Sequence, residues 1–139
     1  MKKIFTLVFS ILAFGLMAQT QLEEEKAGPA IVFAESMFDF GDIKQGDVVE
    51  HIFEFQNTGT QPLILSGVRT TCGCTAPYWP KEPIAPGETS SIKIKFNSRG
   101  KLGMQNKIIT VNSNAITPTT RIKIVTNVKP PQAQEDGEG

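Results

Sequence analysis

Ile92-Lys93-Ile94-Lys95-Phe96 alternates apolar and charged side chains with a period of two. That period puts one set of side chains on a core and the other in water, which is the signature of a half-buried β-strand. The same pattern recurs upstream, where Val49, His51, Phe53 and Phe55 alternate with Glu50, Ile52, Glu54 and Gln56. It recurs downstream, where Ile122 and Ile124 alternate with Arg121 and Lys123. Phe38 and Phe40 share a face before Gly41, which is expected to break that strand. Leu63 to Val68 and Lys107 to Val111 are strand-like with an ambiguous phase. No window of similar length carries a helical stripe.

Turn residues separate these runs. Asn57-Thr58-Gly59-Thr60 joins two strands, with Asn and Gly able to take positive φ. Ala85-Pro86-Gly87-Glu88 has Pro and Gly at the central positions of a type II turn. Gln45-Gly46-Asp47, Asn112-Ser113-Asn114 and Thr117-Pro118 mark further corners. About seven short strands with regular turns predict an all-β fold, a single-domain antiparallel β-sandwich of the immunoglobulin-like kind. A closed barrel is the second architecture compatible with the pattern.

The beginning of the chain reads as an export signal. Lys2 and Lys3 precede an uncharged apolar run from Ile4 to Met17, and Ala18 offers a small residue for cleavage. The run is too short to span a bilayer and no stop-transfer pattern follows, so residues 1–18 are expected to be a secretory signal peptide. The expected location is the periplasm, or the medium or cell surface beyond it, with no membrane span after removal. Lys2 and Lys3 leave with the leader, which takes the 14 basic residues to 12 against 14 acidic ones, a net charge of −2. No basic run or stripe points to nucleic acid. Residues 19–30 carry Glu23-Glu24-Glu25, and residues 130–139 read Pro-Pro-Gln-Ala-Gln-Glu-Asp-Gly-Glu-Gly. Both are too poor in apolar side chains to offset ordering entropy, so they are expected as a disordered linker and tail around a domain at 31–129.

Chemistry concentrates at Thr71-Cys72-Gly73-Cys74-Thr75, which holds both cysteines of the chain. An exported thiol pair tends to oxidise. In an extended strand, residues at this spacing lie roughly 6.5–7 Å apart at Cα, at the limit for a bridge. Gly73 allows a tighter path, but the resulting ring is minimal, strained and easily reduced. Three readings of Cys72 and Cys74 stay open: a structural corner, oxidised or not; an exchanging dithiol; and a soft-metal pair able to hold Cu(I) with methionine sulfur. The redox reading lacks the usual Cys-x-x-Cys spacing and a helix N-terminus to lower a thiol pKa. Met37 and Met104 are the methionines beyond the leader. A zinc site needs four ligands, and His51 is the one histidine in the chain.

His51 lies in the phase of Phe53 and Phe55, which places it as a half-buried strand residue rather than a ligand or the base of a Cys–His pair. Asp39, Asp42 and Asp47 read as turn and solvated residues rather than a cation loop. No phosphate loop, carboxylate pair or hydrolase triad stands out, so no enzyme activity and no cofactor are expected. Tyr78-Trp79, between Pro77 and Pro80, cannot lie in a central strand. It is either a loop folded over the core or an aromatic contact patch beside the cysteines for a protein or glycan partner.

Phe38-Asp39-Phe40-Gly41-Asp42-Ile43, Gly46, Phe53-Glu54-Phe55-Gln56-Asn57-Thr58-Gly59, Pro62-Leu63-Ile64-Leu65, Cys72-Gly73-Cys74-Thr75 and Pro83-Ile84-Ala85-Pro86-Gly87-Glu88 follow one another in an order that resembles the DUF1573 family of exported bacterial proteins. The resemblance covers Phe33 to Val128 and extends in pattern to the immunoglobulin-like domains of the major sperm protein, ASH and Hydin group. It implies an immunoglobulin-like sandwich and export, and no established activity. The combined expectation is a non-catalytic binding or assembly module of the bacterial envelope, with another envelope protein or a glycan as partner. The alternative is a periplasmic thiol-redox or Cu(I)-binding protein that uses the Cys-Gly-Cys pair.

Overall fold

A computed structural model describes residues 27–131. The expected leader lies outside the described residues, as does most of each expected flank. Eight strands form: β1 (Ile31–Phe33), β2 (Met37–Lys44), β3 (Val48–Asn57), β4 (Leu65–Thr70), β5 (Cys74–Tyr78), β6 (Thr89–Asn97), β7 (Gly103–Ser113) and β8 (Thr119–Lys129). They make two four-stranded sheets, ordered β1-β3-β6-β5 and β2-β8-β7-β4. The architecture is an open sandwich rather than a closed barrel.

The core is what the period-two pattern requires. Phe53, Phe55, Ile92, Ile94, Phe96 and Cys74 from the first sheet meet Ile109, Val111, Ile122, Ile124 and Val128 from the second. Burying each large apolar side chain stabilises the fold by about 1.5–3 kcal/mol. Register keeps the faces aligned: Val49, His51 and Phe53 lie opposite Phe96, Ile94 and Ile92.

Four features depart from the sequence expectation. A short strand that the sequence pattern does not mark, β1, precedes the expected Phe38–Phe40 strand and pairs antiparallel with β3, while β2 crosses to the other sheet and pairs parallel with β8. This raises the count to eight and makes one pairing parallel. Gly41 does not end β2 but forms a bulge at φ 70°, where the register shifts between Asp39 and Asp42. The extra residue reverses the parity, so that Phe38, Phe40 and Ile43 all face inward. A bulge between Leu65 and Gly67 has the same effect in β4, which explains its ambiguous phase.

The folded part also begins ahead of residue 31. Gly28 and Pro29 are buried, and Gly28 N–H donates to Thr60 Oγ1 at 3.0 Å. Their docking explains the corner at residues 57–60. Neither Asn57 nor Gly59 adopts positive φ there. Gly59 is required by space instead: a Cβ at that position would lie 2.1 Å from the Gly28 carbonyl oxygen. The fully buried Asn57 continues the inward phase of Phe53 and Phe55 and ties three separate loop segments of main chain together. Its Oδ1 accepts from Ala30 N–H (3.3 Å) and Gly59 N–H (3.0 Å), and its Nδ2 donates to Gln61 O (2.8 Å) and Ile84 O (2.9 Å).

Candidate functional site

Thr71-Cys72-Gly73-Cys74 is a tight turn between β4 and β5. Cys74 N–H donates to Thr71 O at 3.0 Å, and Gly73 takes φ 91°, as the third residue of a type II turn must. The turn is packed over: a Cβ on Gly73 would meet the Phe96 ring at 3.2 Å and Lys101 Cε at 3.3 Å. Thr70 Oγ1 donates to Cys74 O at 2.8 Å and holds the two strand ends together.

This turn gives the two cysteines different surroundings, and both are free thiols. Cys74 opens β5 with its side chain in the core, 7% exposed. Burial pushes its thiol up to about 11; the Lys107 cation acts against that rise and Cys72 adds to it. At neutral pH Cys74 is a protonated core residue. Cys72 stands at the exposed corner, where the Lys101 ammonium donates to its Sγ at 3.4 Å. Among the described residues no group of three or more His, Cys, Asp and Glu side chains comes together to hold a metal ion.

His51 lies elsewhere. It pairs with Ile94 on β6, and β6 separates it from β5 and the cysteines. Its ring stacks on Phe38 at 3.6 Å between centroids and meets Phe53 edge-on, and its Nε2 is bonded to Glu35. The geometry is that of a half-buried strand histidine. Asp39 accepts from Gly41 N–H and Asp47 from Lys44 N–H, as turn residues do. Asp42 accepts from Asn127 on β8.

Tyr78 and Trp79 do not adjoin the cysteines. Cys74 pairs with Phe96 near one end of β6 and Tyr78 with Lys93 toward the other. Four residues of strand put about 13 Å between them. Pro77 is accommodated because β5 is an edge strand. Tyr78 is 55% exposed, whereas Trp79 packs on the core and carries the Lys81 ammonium over its ring. The two aromatics line an open cleft of about 470 Å³ with Lys81, Glu82, Glu88 and Ser90. The sequence showed the aromatic pair, but only the fold shows that one ring is covered and the other presented.

The family model described as a protein of unknown function, DUF1573, matches residues 31–128. The chain belongs to the DUF1573 family. No curated protein matches it. Among solved structures, this DUF1573 domain is similar to a protein of unknown function from Porphyromonas gingivalis W83, with TM-score 0.63 and 22% identity. That match covers 73% of this chain and 47% of the other, so the chain spans about half the length of that protein. The ASH/PapD-like domain 7 of human CEP192 matches with TM-score 0.61 and 12% identity over 84% of this chain and 99% of that one. The secreted serine protease VesC of Vibrio cholerae matches with TM-score 0.56 and 13% identity, over 77% of this chain and 24% of its own. At these identities the likeness is one of fold: an immunoglobulin-like, PapD-like sandwich.

Proposed function

We propose that this DUF1573 domain is a non-catalytic, exported binding or assembly module of the bacterial envelope. Export is supported by the leader pattern from Lys2 to Ala18. The single observation that carries the binding reading is the exposed Tyr78 ring at the end of edge strand β5, beside the 470 Å³ cleft. A rigid aromatic next to charged and hydroxyl side chains suits an envelope protein or a glycan. The fold itself supplies no function. A photo-crosslinking amino acid at position 78, in the full chain expressed in its bacterial host, should give a discrete envelope adduct. A correctly folded variant that yields only free protein would overturn the reading.

A second reading is favoured by one contact, the Lys101 ammonium at 3.4 Å from the exposed Cys72 sulfur. It is thiol chemistry at the bacterial surface, with Cys72 as the reacting group and Cys74 held in reserve in the core. Native mass spectrometry with and without alkylation tests it. A Cys72 found bonded to a second thiol or to Cu(I) supports it, and an unmodified, metal-free Cys72 counts against it.

A further inference from the structure

The first sheet is incomplete along one side. β1 ends at Phe33, and the crossover makes its last main-chain bond to β3 from Ala34 N–H to Glu54 O, at 3.0 Å. By Ser36 the chain has joined the other sheet, where its carbonyl accepts from Lys123 N–H. Among the described residues, β3 continues without a paired strand on that side back to Val48.

Alternation fixes which groups are left open. Asn57 N–H bonds on the β6 side, to Glu88 O, whereas Glu54 O points toward β1. Residues of even number in β3 therefore send amide and carbonyl away from β6. For Val48, Glu50 and Ile52, no partner for these outward groups occurs among the described residues. Their side chains share the outer face of the sheet, with Val48 48% and Ile52 50% exposed. Glu50 stands between them, and a groove of about 370 Å³ follows Glu50, His51, Ile52 and Lys93. The opposite edge of this sheet, β5, carries Pro77, which cannot donate to a new ladder.

We infer that the β3 edge from Val48 to Ile52 accepts an extended segment of another protein by main-chain pairing, with a basic side chain opposite Glu50 and apolar side chains opposite Val48 and Ile52. The proposal rests on the binding-module reading and specifies a partner class for it. Charge selects the occupant. The ionisable side chains on β3 and the crossover are Glu35, Glu50, Glu54 and His51, and His51 is turned onto Glu35. Lys93 and Lys95, one strand further in on β6, form ion pairs with Glu50 from that side at 3.7 and 3.8 Å, so an incoming basic side chain would meet Glu50 from the opposite, open side. A second copy fits poorly. The antiparallel register that sets Val48 on the partner's apolar position also sets Glu50 against its own copy, and like charges directly opposite one another are destabilising. An incoming lysine or arginine replaces that repulsion with attraction, while main-chain bonds supply the affinity.

The test uses the purified mature protein and a capped peptide reading Thr-Val-Thr-Lys-Thr-Ile-Thr. Amide exchange by NMR should slow at Val48, Glu50 and Ile52 when the peptide is added, with no change at Tyr78. Replacing the peptide's lysine by glutamate should weaken binding about fivefold, the size of one favourable cross-strand pair. Glu50→Lys should reverse the order of the two peptides. Absence of binding, protection at other strands, or indifference to charge would overturn the inference. None of those outcomes touches cross-linking at position 78, so the two proposals fail separately.

Discussion

Asn57→Ala tests how much a single polar side chain contributes to this sandwich. The amide makes four hydrogen bonds to main-chain groups and is fully buried. Removing it leaves the Ala30 and Gly59 amides and the Gln61 carbonyl without that partner. The Ile84 carbonyl keeps a second donor, Leu63 N–H at 2.8 Å. At about 1 kcal/mol for each bond lost and not replaced, the cost is about 3 kcal/mol. That is a large share of the roughly 5–15 kcal/mol that holds a domain folded. Urea unfolding, followed by fluorescence of the single tryptophan, Trp79, reads the change directly. With a slope of about 1–3 kcal/mol per molar, the midpoint should fall by about 1–3 M. A midpoint within about 0.5 M of the parent, at unchanged slope, would show that loop 57–61 relaxes or hydrates freely. The claim that this amide organises the corner would then be wrong.

Further outcomes follow from particular contacts. Gly59→Ala should destabilise by at least about 2 kcal/mol, because its Cβ would meet the Gly28–Ala30 backbone. Gly67→Ala, with open space and no positive φ, should change the urea midpoint by less than about 0.5 kcal/mol equivalent. Alkylation of the reduced native protein near pH 8 should add one label, at Cys72, and a second at Cys74 only after unfolding, which intact-mass measurement resolves. The Cys74 thiol rises from 9.0 when unfolded to about 11 when folded, so its share of stability is present below pH 9 and is lost as pH climbs toward 11. Urea midpoints at pH 8 and pH 10 should therefore fall less in Cys74→Ala than in the parent; equal falls would refute the assignment.

Much of the fold was legible because its causes are local. A period of two at Ile92–Phe96 and Val49–Phe55 already states which side chains face inward, and burial follows it residue by residue. The Pro86-Gly87 turn behaves as its residues require, with Gly87 at φ 82° and Glu88 N–H on Ala85 O at 3.0 Å. Asn57 also left a signal, a polar residue in the inward phase of two buried phenylalanines. The site was less legible. Cys72 and Cys74 sit two positions apart in sequence, yet the turn sends one sulfur to the surface and the other into the core.

The sequence by itself determined that this chain makes short, half-buried strands joined by glycine and proline turns, since side-chain alternation and backbone permission belong to each residue. Only the tertiary structure decided that β1 and β2 join different sheets, that β2 runs parallel to β8, and that Tyr78 is presented while Trp79 is covered. It also decided that β3 keeps an open edge. Strand neighbours are set by contacts between distant segments, and a pattern of period two looks the same whichever strand lies alongside it.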